Sequence, residues 1–258
     1  MDLQISNTYF LITGATSGLG LGVSRALLIE GAGIIAVGTD QEKLNRLKSI
    51  SPKKVNPVLG NLFDLQTADF IIDAIGDQKL GGVFLNASGP PAMSFLDTSL
   101  QNWDDAYNHI LKWKINLVQK LLPVFRRQGH GRILFSESIS VKQPIKDLVL
   151  SNAMRLAVTG MAKTLANEVA IYGITVNVIG TGYHKTGAMN RLYARKMKAE
   201  SISMENAVKA FEKEIPGCKM GDGESFGNLI AWLFSPLSFY ITGQTISVDG
   251  GMVKGVFG

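Results

Sequence analysis

The sequence predicts an α/β fold, in which a doubly wound parallel sheet of about seven strands carries helices on both faces. Short apolar segments alternate with helical segments along the whole chain, which is the order of repeated βαβ units. Several strand-like segments lack polar alternation, as expected when helices cover both faces of a sheet. No Pro/Gly/Ser-rich linker or internal repeat interrupts this pattern, so residues 1–258 are predicted to form one domain.

The individual elements follow from these patterns. The predicted strands are Tyr9–Ile12, Gly33–Val37, Val55–Leu59, Gly82–Leu85, Arg132–Phe135, Thr175–Ile179 and Thr245–Val248. The predicted helices are Leu19–Glu30, Gln41–Lys48, Leu65–Ile75, Asn102–Arg127, Leu150–Tyr172 and Glu224–Phe234. The stretch from Thr186 to Lys219 is polar, basic and helical in composition, and is interpreted as an insertion over the ligand crevice rather than a second domain.

Composition excludes several classes of protein. With 46% apolar and 18% charged residues, the chain has ample material for a core and little for disorder. The net charge of +5 suits an anionic ligand, but the basic residues are scattered. The densest basic group is interpreted as a solvated helix face, so no nucleic-acid partner is expected. That group comprises Arg191, Arg195, Lys196 and Lys198.

The cysteine count, the length of the apolar runs and the N-terminal residues indicate a soluble protein of a reducing compartment. The single Cys218 excludes an internal disulfide framework, and the histidines show no metal-ligand spacing, so no metal is expected. No apolar run is long enough for a membrane span. Residues 1–7 carry an acid and no basic segment before an apolar stretch, which is unlike a signal peptide. We therefore expect a cytoplasmic location.

A glycine-rich turn follows the first predicted strand and runs directly into a helix. Glycine permits a tight turn and a close approach of the backbone to a pyrophosphate, and the helix N-terminus offers free N–H groups to its oxygens. The alternative is that the glycines serve only a tight strand-to-helix turn. The strand–turn–helix context favours dinucleotide binding and a Rossmann-type sheet. The candidate cofactor-binding residues of the turn are Gly14, Thr16, Ser17, Gly18, Leu19 and Gly20.

The chain resembles the short-chain dehydrogenase/reductase family, in its β-ketoacyl carrier-protein reductase-like branch. The turn has that family's Thr-Gly-x-x-x-Gly-x-Gly spacing, and four further motifs follow in family order. Those motifs are Asn86–Gly89, Gly131–Ile133 with Ser138, Thr175–Val178 with Gly182 and Thr186, and Ile241–Gln244 with Val248–Gly251. The resemblance implies further cofactor contacts at Thr39, Asn61, Leu62, Asn86, Ala87, Arg155, Gly182 and Thr186.

The end of the second strand bears on which nicotinamide cofactor is used. An acid there would bond both ribose hydroxyls and repel a 2′-phosphate, but this chain has Gly38 followed by Thr39. Against NADP, no arginine stands beside Thr39, and Ser17 occupies a turn position that is often basic in relatives using NADP. Asp40 is interpreted as the cap of the next helix. The balance favours NADP, with NAD the alternative.

The catalytic positions implied by the resemblance depart from the family pattern. The family uses a serine, a tyrosine, a lysine four residues later and an asparagine that anchors a water relay. Ser138 matches the serine, while Ser151 stands at the tyrosine position and Arg155 at the lysine position. Ile110 stands at the asparagine position. An aliphatic hydroxyl is a far weaker acid than a phenol, and arginine does not give up a proton as lysine can.

A replacement proton donor is conceivable on the loop after Gly182. Tyr183 is the first candidate, and the alternative is that it forms an aromatic wall of the substrate pocket. His184, Lys142 and Lys146 are further candidates, with surface positions as their alternative interpretation. The candidate catalytic residues are Ser138, Ser151, Arg155 and Tyr183.

Two functions remain open. The first is an atypical NAD(P)-dependent oxidoreductase acting on a carbonyl or secondary alcohol, and the alternative is a catalytically silent dinucleotide-binding protein that serves as a sensor or partner subunit. The loop 90–99 and the 186–219 stretch carry apolar groups, which indicate a small, partly apolar substrate. The long predicted helices and the C-terminal Val253, Val256 and Phe257 indicate a homodimer or homotetramer.

Overall fold

A computed structural model describes residues 1–256, in which seven strands form one sheet. The strand order is β3-β2-β1-β4-β5-β6-β7, and every neighbouring pair is parallel. This confirms the predicted Rossmann-type α/β fold. The strands are β1 (Tyr9–Thr13), β2 (Gly33–Gly38), β3 (Val55–Leu59), β4 (Leu80–Leu85), β5 (Gly131–Ser138), β6 (Ile174–Thr181) and β7 (Thr245–Val248).

Nine α-helices accompany the sheet within residues 1–256. The helices are α1 (Gly18–Ile29), α2 (Gln41–Ile50), α3 (Thr67–Ile75), α4 (Leu100–Tyr107), α5 (Trp113–Gln128), α6 (Val149–Val169), α7 (Gly187–Glu200), α8 (Met204–Lys213) and α9 (Gly223–Phe234). Along this described part of the chain, no helix combines the length and hydropathy needed to cross a membrane.

Two apolar cores lie on opposite faces of the sheet. In β1, Leu11 faces the layer of α3, α5 and α6, whereas Phe10 and Ile12 face the layer of α1, α2 and α9. This alternation follows from the two-residue period of a strand. Because both faces are covered, β2 and β4 are buried along their whole length, which explains their unbroken apolar sequences.

The predicted single helix Asn102–Arg127 is wrong in one respect, because a π-helical segment at Asn108–Lys112 separates α4 from α5. The indole Nε1 of Trp113 donates to the carbonyl oxygen of His109 at 3.0 Å, and Ile110 is buried in the core. The wider turn therefore places two apolar side chains against the sheet. Such segments often occur near functional sites.

The segment between β6 and α9 forms α7 and α8, which enclose a small apolar cluster separate from the two large cores. Asp147 of the loop before α6 accepts a hydrogen bond from Arg195 of α7 at 2.9 Å. The contact ties α7 to the loop that follows β5.

The strand order reverses between β1 and β4, since β1 pairs with β2 on one side and with β4 on the other. In open α/β sheets, ligands bind in the crevice outside the carboxyl ends of the strands at such a point. The chain segments after β1, β4, β5 and β6 therefore surround the candidate site. Phe257, which was predicted to help form a subunit contact, lies outside the described residues.

Candidate active site

The turn between β1 and α1 has the backbone geometry that only glycine adopts without strain. Gly14 and Gly18 have φ of +60° and +50°. A Cβ on Gly14 would lie 2.9 Å from Nδ2 of Asn86, so this turn packs directly on the loop after β4. Ser17, in extended conformation before α1, makes no side-chain cap, and its hydroxyl leaves the first N–H groups of α1 unoccupied. The turn has the form of an anion-binding helix N-terminus.

Two other residues of the turn have packing roles. A Cβ on Gly20 would collide with the backbone of Gly14, which fixes the close approach of α1 to the turn. Leu19 is half-buried and packs against the apolar core under α1. The third glycine therefore serves helix–strand packing, whereas the first two serve the turn itself.

Thr13 and Asn86 join the two strands that flank the crevice. The Oγ1 of Thr13 donates to the carbonyl oxygen of Asn86 at 2.8 Å, and the N–H of Asn86 donates back to that Oγ1 at 2.7 Å. Ala87 follows and packs against the core below. These reciprocal bonds hold the carboxyl ends of β1 and β4 at a fixed separation.

The carboxyl end of β2 is open. A Cβ on Gly38 would lie 3.4 Å from the side chain of Thr16, and Thr39 is exposed. Oδ1 of Asp40 accepts from the N–H of Lys43 at 3.0 Å, which confirms the predicted cap of α2. This backbone bond lowers the pKa of the Asp40 carboxyl. The Asp40 carboxylate is therefore occupied by its hydrogen bond to the start of α2.

The segment after β3 is shaped by local hydrogen bonds. Oδ1 of Asn61 accepts from the N–H of Phe63 at 3.1 Å, and its carbonyl oxygen accepts from Oγ1 of Thr67 at 2.7 Å. Leu62 is half-buried against the core. Asn61 is thus an exposed, turn-forming residue, and its side-chain amide nitrogen makes no hydrogen bond within residues 1–256.

Ser138 ends β5 at the carboxyl edge of the sheet. Its Oγ accepts from the N–H of Ser140 at 3.2 Å, so its own hydrogen remains available to a further acceptor. The preceding residue, Glu137, is locked to β6 because Oγ1 of Thr181 donates to its carbonyl oxygen at 2.7 Å. The end of β5 is therefore a rigid position.

A buried charge network lies beneath this strand end. Glu137 Oε1 pairs with Nζ of Lys114 from α5, and Glu137 Oε2 accepts from Nη1 of Arg155 on α6 at 2.8 Å. The side chain of Glu137 is 0% exposed, that of Lys114 3% and that of Arg155 12%. Burial lowers the pKa of the Lys114 amine, and the nearby Arg155 lowers it further, while Glu137 opposes both. We call Lys114, Glu137 and Arg155 the charge network.

Arg155 also connects the charge network to Ser151. Its Nε donates to Oγ of Ser151 at 2.9 Å, one helical turn earlier on α6. A Cβ on Gly89 would lie 2.9 Å from Nη2 of Arg155 and 4.0 Å from Oγ of Ser151. The two side chains therefore lie against the loop after β4, and only a glycine fits there without displacing the guanidinium.

The loop after β6 approaches the glycine turn. The N–H of Gly182 donates to the carbonyl oxygen of Val248 at 3.0 Å, which joins the ends of β6 and β7. The side chain of Thr186 lies 3.4 Å from the position of a Cβ on Gly18. Thr186 is thus placed beside the turn that precedes α1, and its side chain makes no cap to α7.

Tyr183 faces the end of α8 instead of the charge network. Its hydroxyl donates to Oε2 of Glu214 at 2.9 Å, and its ring meets that of Phe211 edge to face at 5.1 Å. Burial and the Glu214 carboxylate raise the pKa of Tyr183. A phenol in these surroundings is a weaker acid than a free tyrosine, which favours the interpretation of Tyr183 as a pocket wall.

The interpretation of His184 as a surface residue is wrong. His184 is 6% exposed, its Nδ1 lies 3.1 Å from the carbonyl oxygen of Gly182, and its ring packs on Phe226. Burial lowers its pKa. It contributes to the wall of a cavity of about 210 Å³ between the loop after β6 and the start of α9. Packing against α9 explains why this polar residue is buried.

The structure thus brings the predicted residues together in two groups. The glycine turn, Asn86 and Thr186 meet at the β1–β4 crevice, and Ser151 meets Arg155 beside the loop after β4. Sequence reasoning missed Glu137 and Lys114. Charged residues in an otherwise apolar buried strand and on the helix that covers it are the signal that could have revealed them. Among residues 1–256, no group of three possible metal-ligating side chains occurs.

Comparisons with known proteins agree with this architecture. A family model described as enoyl-(acyl carrier protein) reductase matches residues 14–253. The 3-oxoacyl-(acyl-carrier-protein) reductase of Thermotoga maritima is 29% identical over 257 residues, covering 97% of this chain and 100% of that protein. Dehydrogenase/reductase SDR family member 4 of Sus scrofa is 25% identical over 253 residues, covering 96% and 88%.

Solved structures share the fold. The crystal structure of L-sorbose reductase from Gluconobacter frateurii, complexed with NADPH and L-sorbose, superposes with a TM-score of 0.92 at 24% identity, covering 99% of this chain and 100% of that chain. A single-residue variant of actinorhodin polyketide ketoreductase with NADPH gives a TM-score of 0.90 at 22% identity, covering 96% and 98%.

The parallel sheet, its reversal point and the glycine turn define a Rossmann-type α/β protein. With a family model matching residues 14–253, the chain belongs to the short-chain dehydrogenase/reductase family.

Proposed function

We propose that this protein is an atypical NAD(P)-dependent oxidoreductase that acts on a carbonyl or secondary alcohol. The observation that carries the proposal is the glycine turn packed on Asn86 at the β1–β4 crevice, where a dinucleotide would bind. The comparisons support it, since they include a 3-oxoacyl-(acyl-carrier-protein) reductase and reductases whose structures contain NADPH.

The residues at the crevice fit a nicotinamide dinucleotide. A pyrophosphate would be held by the N–H groups at the start of α1 and by Thr186, while the glycines leave its approach open. Asn61, Leu62, Asn86, Ala87 and Gly182 would contact the rest of the cofactor. When bound, the nicotinamide would supply or accept a hydride.

We propose NADP as the preferred cofactor, with NAD the alternative. Gly38 and the exposed Thr39 leave room for a 2′-phosphate, and Asp40 is engaged in capping α2. Solved structures of the same fold that contain NADPH support this preference weakly.

The side chains near the end of β5 would act on the substrate as follows. Ser138 would donate its free hydroxyl hydrogen to the substrate oxygen and polarise the carbonyl. Arg155 would hold Ser151 in place through Nε, and one of its remaining N–H groups would bind the nicotinamide ribose. Tyr183 would form a wall of the substrate pocket. The proton would then reach the substrate oxygen from water or from the Ser151 hydroxyl.

The second candidate function is a catalytically silent dinucleotide-binding protein, acting as a sensor or partner subunit. Ile110 favours it, because this buried apolar side chain cannot hold a relay water. Ser151 favours it too, because an aliphatic hydroxyl is a much weaker acid than a phenol. Both functions share the same cofactor site.

Two experiments test the proposal in sequence. Calorimetric titration with NADPH and NADH should give micromolar binding, tighter for NADPH, and absence of binding by either would exclude both functions. A panel of ketones, aldehydes and secondary alcohols should then reveal turnover. Cofactor binding with no turnover across the panel would contradict the oxidoreductase and favour the catalytically silent dinucleotide-binding protein.

We further propose a single domain over residues 1–258, with 186–219 as a helical insertion over the cleft. The molecule would act on a small, partly apolar substrate in the cytoplasm as a homodimer or homotetramer. Exposed apolar side chains on α4 and α6, including Leu100 and Leu156, support association through these helices.

A further inference from the structure

Arg155 retains hydrogen-bond donors that the protein does not use. A guanidinium carries five N–H groups. Nε donates to Ser151 and Nη1 donates once to Glu137, which leaves one N–H on Nη1 and both on Nη2 without a hydrogen-bond partner among residues 1–256. Nη2 lies against Gly89 at the carboxyl edge of the sheet. The unused donors therefore lie beside the crevice.

Ser151 places a second donor beside them. Its Oγ accepts from Arg155 Nε at 2.9 Å, so its own hydrogen is available for another acceptor. The position of a Cβ on Gly89 lies 4.0 Å from this Oγ and 2.9 Å from Arg155 Nη2. A hydroxyl and a guanidinium edge thus lie together on one side of α6, facing the loop after β4.

The charge network carries a net positive charge beside the crevice when Lys114 is protonated. Glu137 pairs one carboxylate oxygen with each cation, and Arg155 makes only one hydrogen bond to it. Two cations share one carboxylate when Lys114 is protonated, and a guanidinium keeps its charge at every accessible pH. Uncompensated charge in a buried setting is costly unless an anion pairs with it. An anionic group at the free edge of Arg155 would complete the network.

We propose that Arg155 and Ser151 form a carboxylate-binding subsite, which selects oxo acids or hydroxy acids over neutral carbonyl compounds. This inference rests on the proposed function for its reaction, and on the charge network alone for binding. With the Ser151 hydroxyl bound to the carboxylate, water supplies the proton of the reaction. A planar guanidinium edge matches the two oxygens of a carboxylate, which a single carbonyl oxygen does not use.

The surface beside the crevice supports an anionic substrate. Residues 182–200, which follow β6 and form α7, contain five Lys and Arg side chains and one acid, Glu200, which pairs with Lys196 at 2.8 Å. Asp147, from the loop after β5, is paired with Arg195. Lys185, Arg191 and Lys198 make no ion pair among residues 1–256, and unpaired basic charge beside a crevice raises the local concentration of an anion.

The test measures binding of matched acids and esters by calorimetry. Pyruvate and benzoylformate carry the carbonyl directly beside the carboxylate and differ in the size of their apolar group, whereas levulinate separates the two groups by an ethylene spacer. The methyl ester of each acid supplies a neutral match. Titrations are made with saturating NADPH and without it. We expect at least one acid to bind about tenfold more tightly than its ester.

The variant Arg155→Gln should abolish this preference, while Arg127→Gln should preserve it. Arg127 lies at the far end of α5, away from the carboxyl edge of the sheet, and its side chain is exposed. Should Arg155→Gln fail to fold, Ser151→Ala removes one donor only and should reduce the preference about threefold.

Equal affinity for acids and esters, or a preference that survives Arg155→Gln, would overturn the subsite. A preference for acids in the absence of any NADPH binding would support the subsite and contradict the proposed function instead. Tight NADPH binding without a preference for acids would contradict the subsite and leave the proposed function in place.

Discussion

The guanidinium of Arg155 donates a hydrogen bond of 2.8 Å to the carboxylate of Glu137, the residue immediately before Ser138. One side chain comes from α6 and the other from β5, and both are largely buried. The bond therefore fixes the orientation of a cation at the carboxyl edge of the sheet. It also makes the stability of the fold depend on a group that lies in the candidate site.

Replacing Glu137 with Gln should destabilise the protein strongly, because it leaves Lys114 and Arg155 buried without an anion. Loss of one partner from a buried ion pair costs about 3–5 kcal/mol in the free energy of unfolding. Lys114→Met should cost less than half as much, since Glu137 and Arg155 remain a neutral pair. Urea denaturation measures both, and an equal or reversed order would contradict the assignment of charge in the network.

Gly18→Val should reduce NADPH and NADH binding below detection. A branched side chain at φ of +50° strains the turn and occupies space beside Thr186 where the pyrophosphate would bind. Gly129→Val is the matched control, because Gly129 has φ of +64° and open space around it, and lies after α5 at the other end of the sheet. Calorimetry should find cofactor binding intact in the control. Equal losses in both variants would mean that backbone strain alone is responsible.

Restoring a phenol should create or raise carbonyl reduction. Ser151→Tyr combined with Arg155→Lys and Ile110→Asn supplies a proton donor, a nearby amine and a relay side chain beside the existing Ser138. The control combines Ser151→Phe with the same two other changes, so only the hydroxyl differs. We expect NADPH oxidation to be about 10²-fold faster in the Ser151→Tyr protein than in this control. Similar rates in the two variants would show that a hydroxyl at position 151 does not supply the proton.

The stability of the protein should fall as the pH drops from about 6.5 towards 4. Burial, together with the charges of Arg132 and Lys79, lowers the pKa of His130 from 6.5 to about 4. In this range the unfolded chain binds a proton that the folded protein does not, so protonation favours unfolding. His130→Asn should reduce the decline in Tm over this range, and the part that remains would come from His184, whose pKa is also lowered by burial. An unchanged slope in His130→Asn would exclude His130 as the cause.

Leu156→Glu should dissociate the proposed homodimer or homotetramer. Leu156 is 54% exposed on α6, beside the small residues Ala153, Ala157 and Gly160, which allow close approach of a second helix. A carboxylate introduced there would be buried without a partner in a paired-helix interface. Light scattering should show a dimer or tetramer for the natural sequence and a smaller species for the variant. A monomer in both cases would exclude the interface.

Alternation of apolar and helical segments was sufficient to predict the sheet, because strands covered on both faces leave an unmistakable apolar pattern. The glycine turn could be located for a similar reason, since its spacing reflects backbone constraints. The π-helical segment around Ile110 could not be predicted, because its sequence keeps a helical period on either side. Glu137 and Lys114 were missed because their significance depends on a contact between α5 and β5, which are separated by a turn in the chain and meet only after folding.

The small apolar cluster under α7 and α8 has a consequence for the order in which parts of the molecule open. Its buried side chains are few and belong to neither of the two large cores, so separating these helices from the sheet exposes little apolar surface. Amide hydrogens of α8 should therefore exchange with solvent through local opening, long before those of β5, whose exchange requires global unfolding. Access to the crevice would then be set by the same low-energy opening, independently of the overall stability of the sheet.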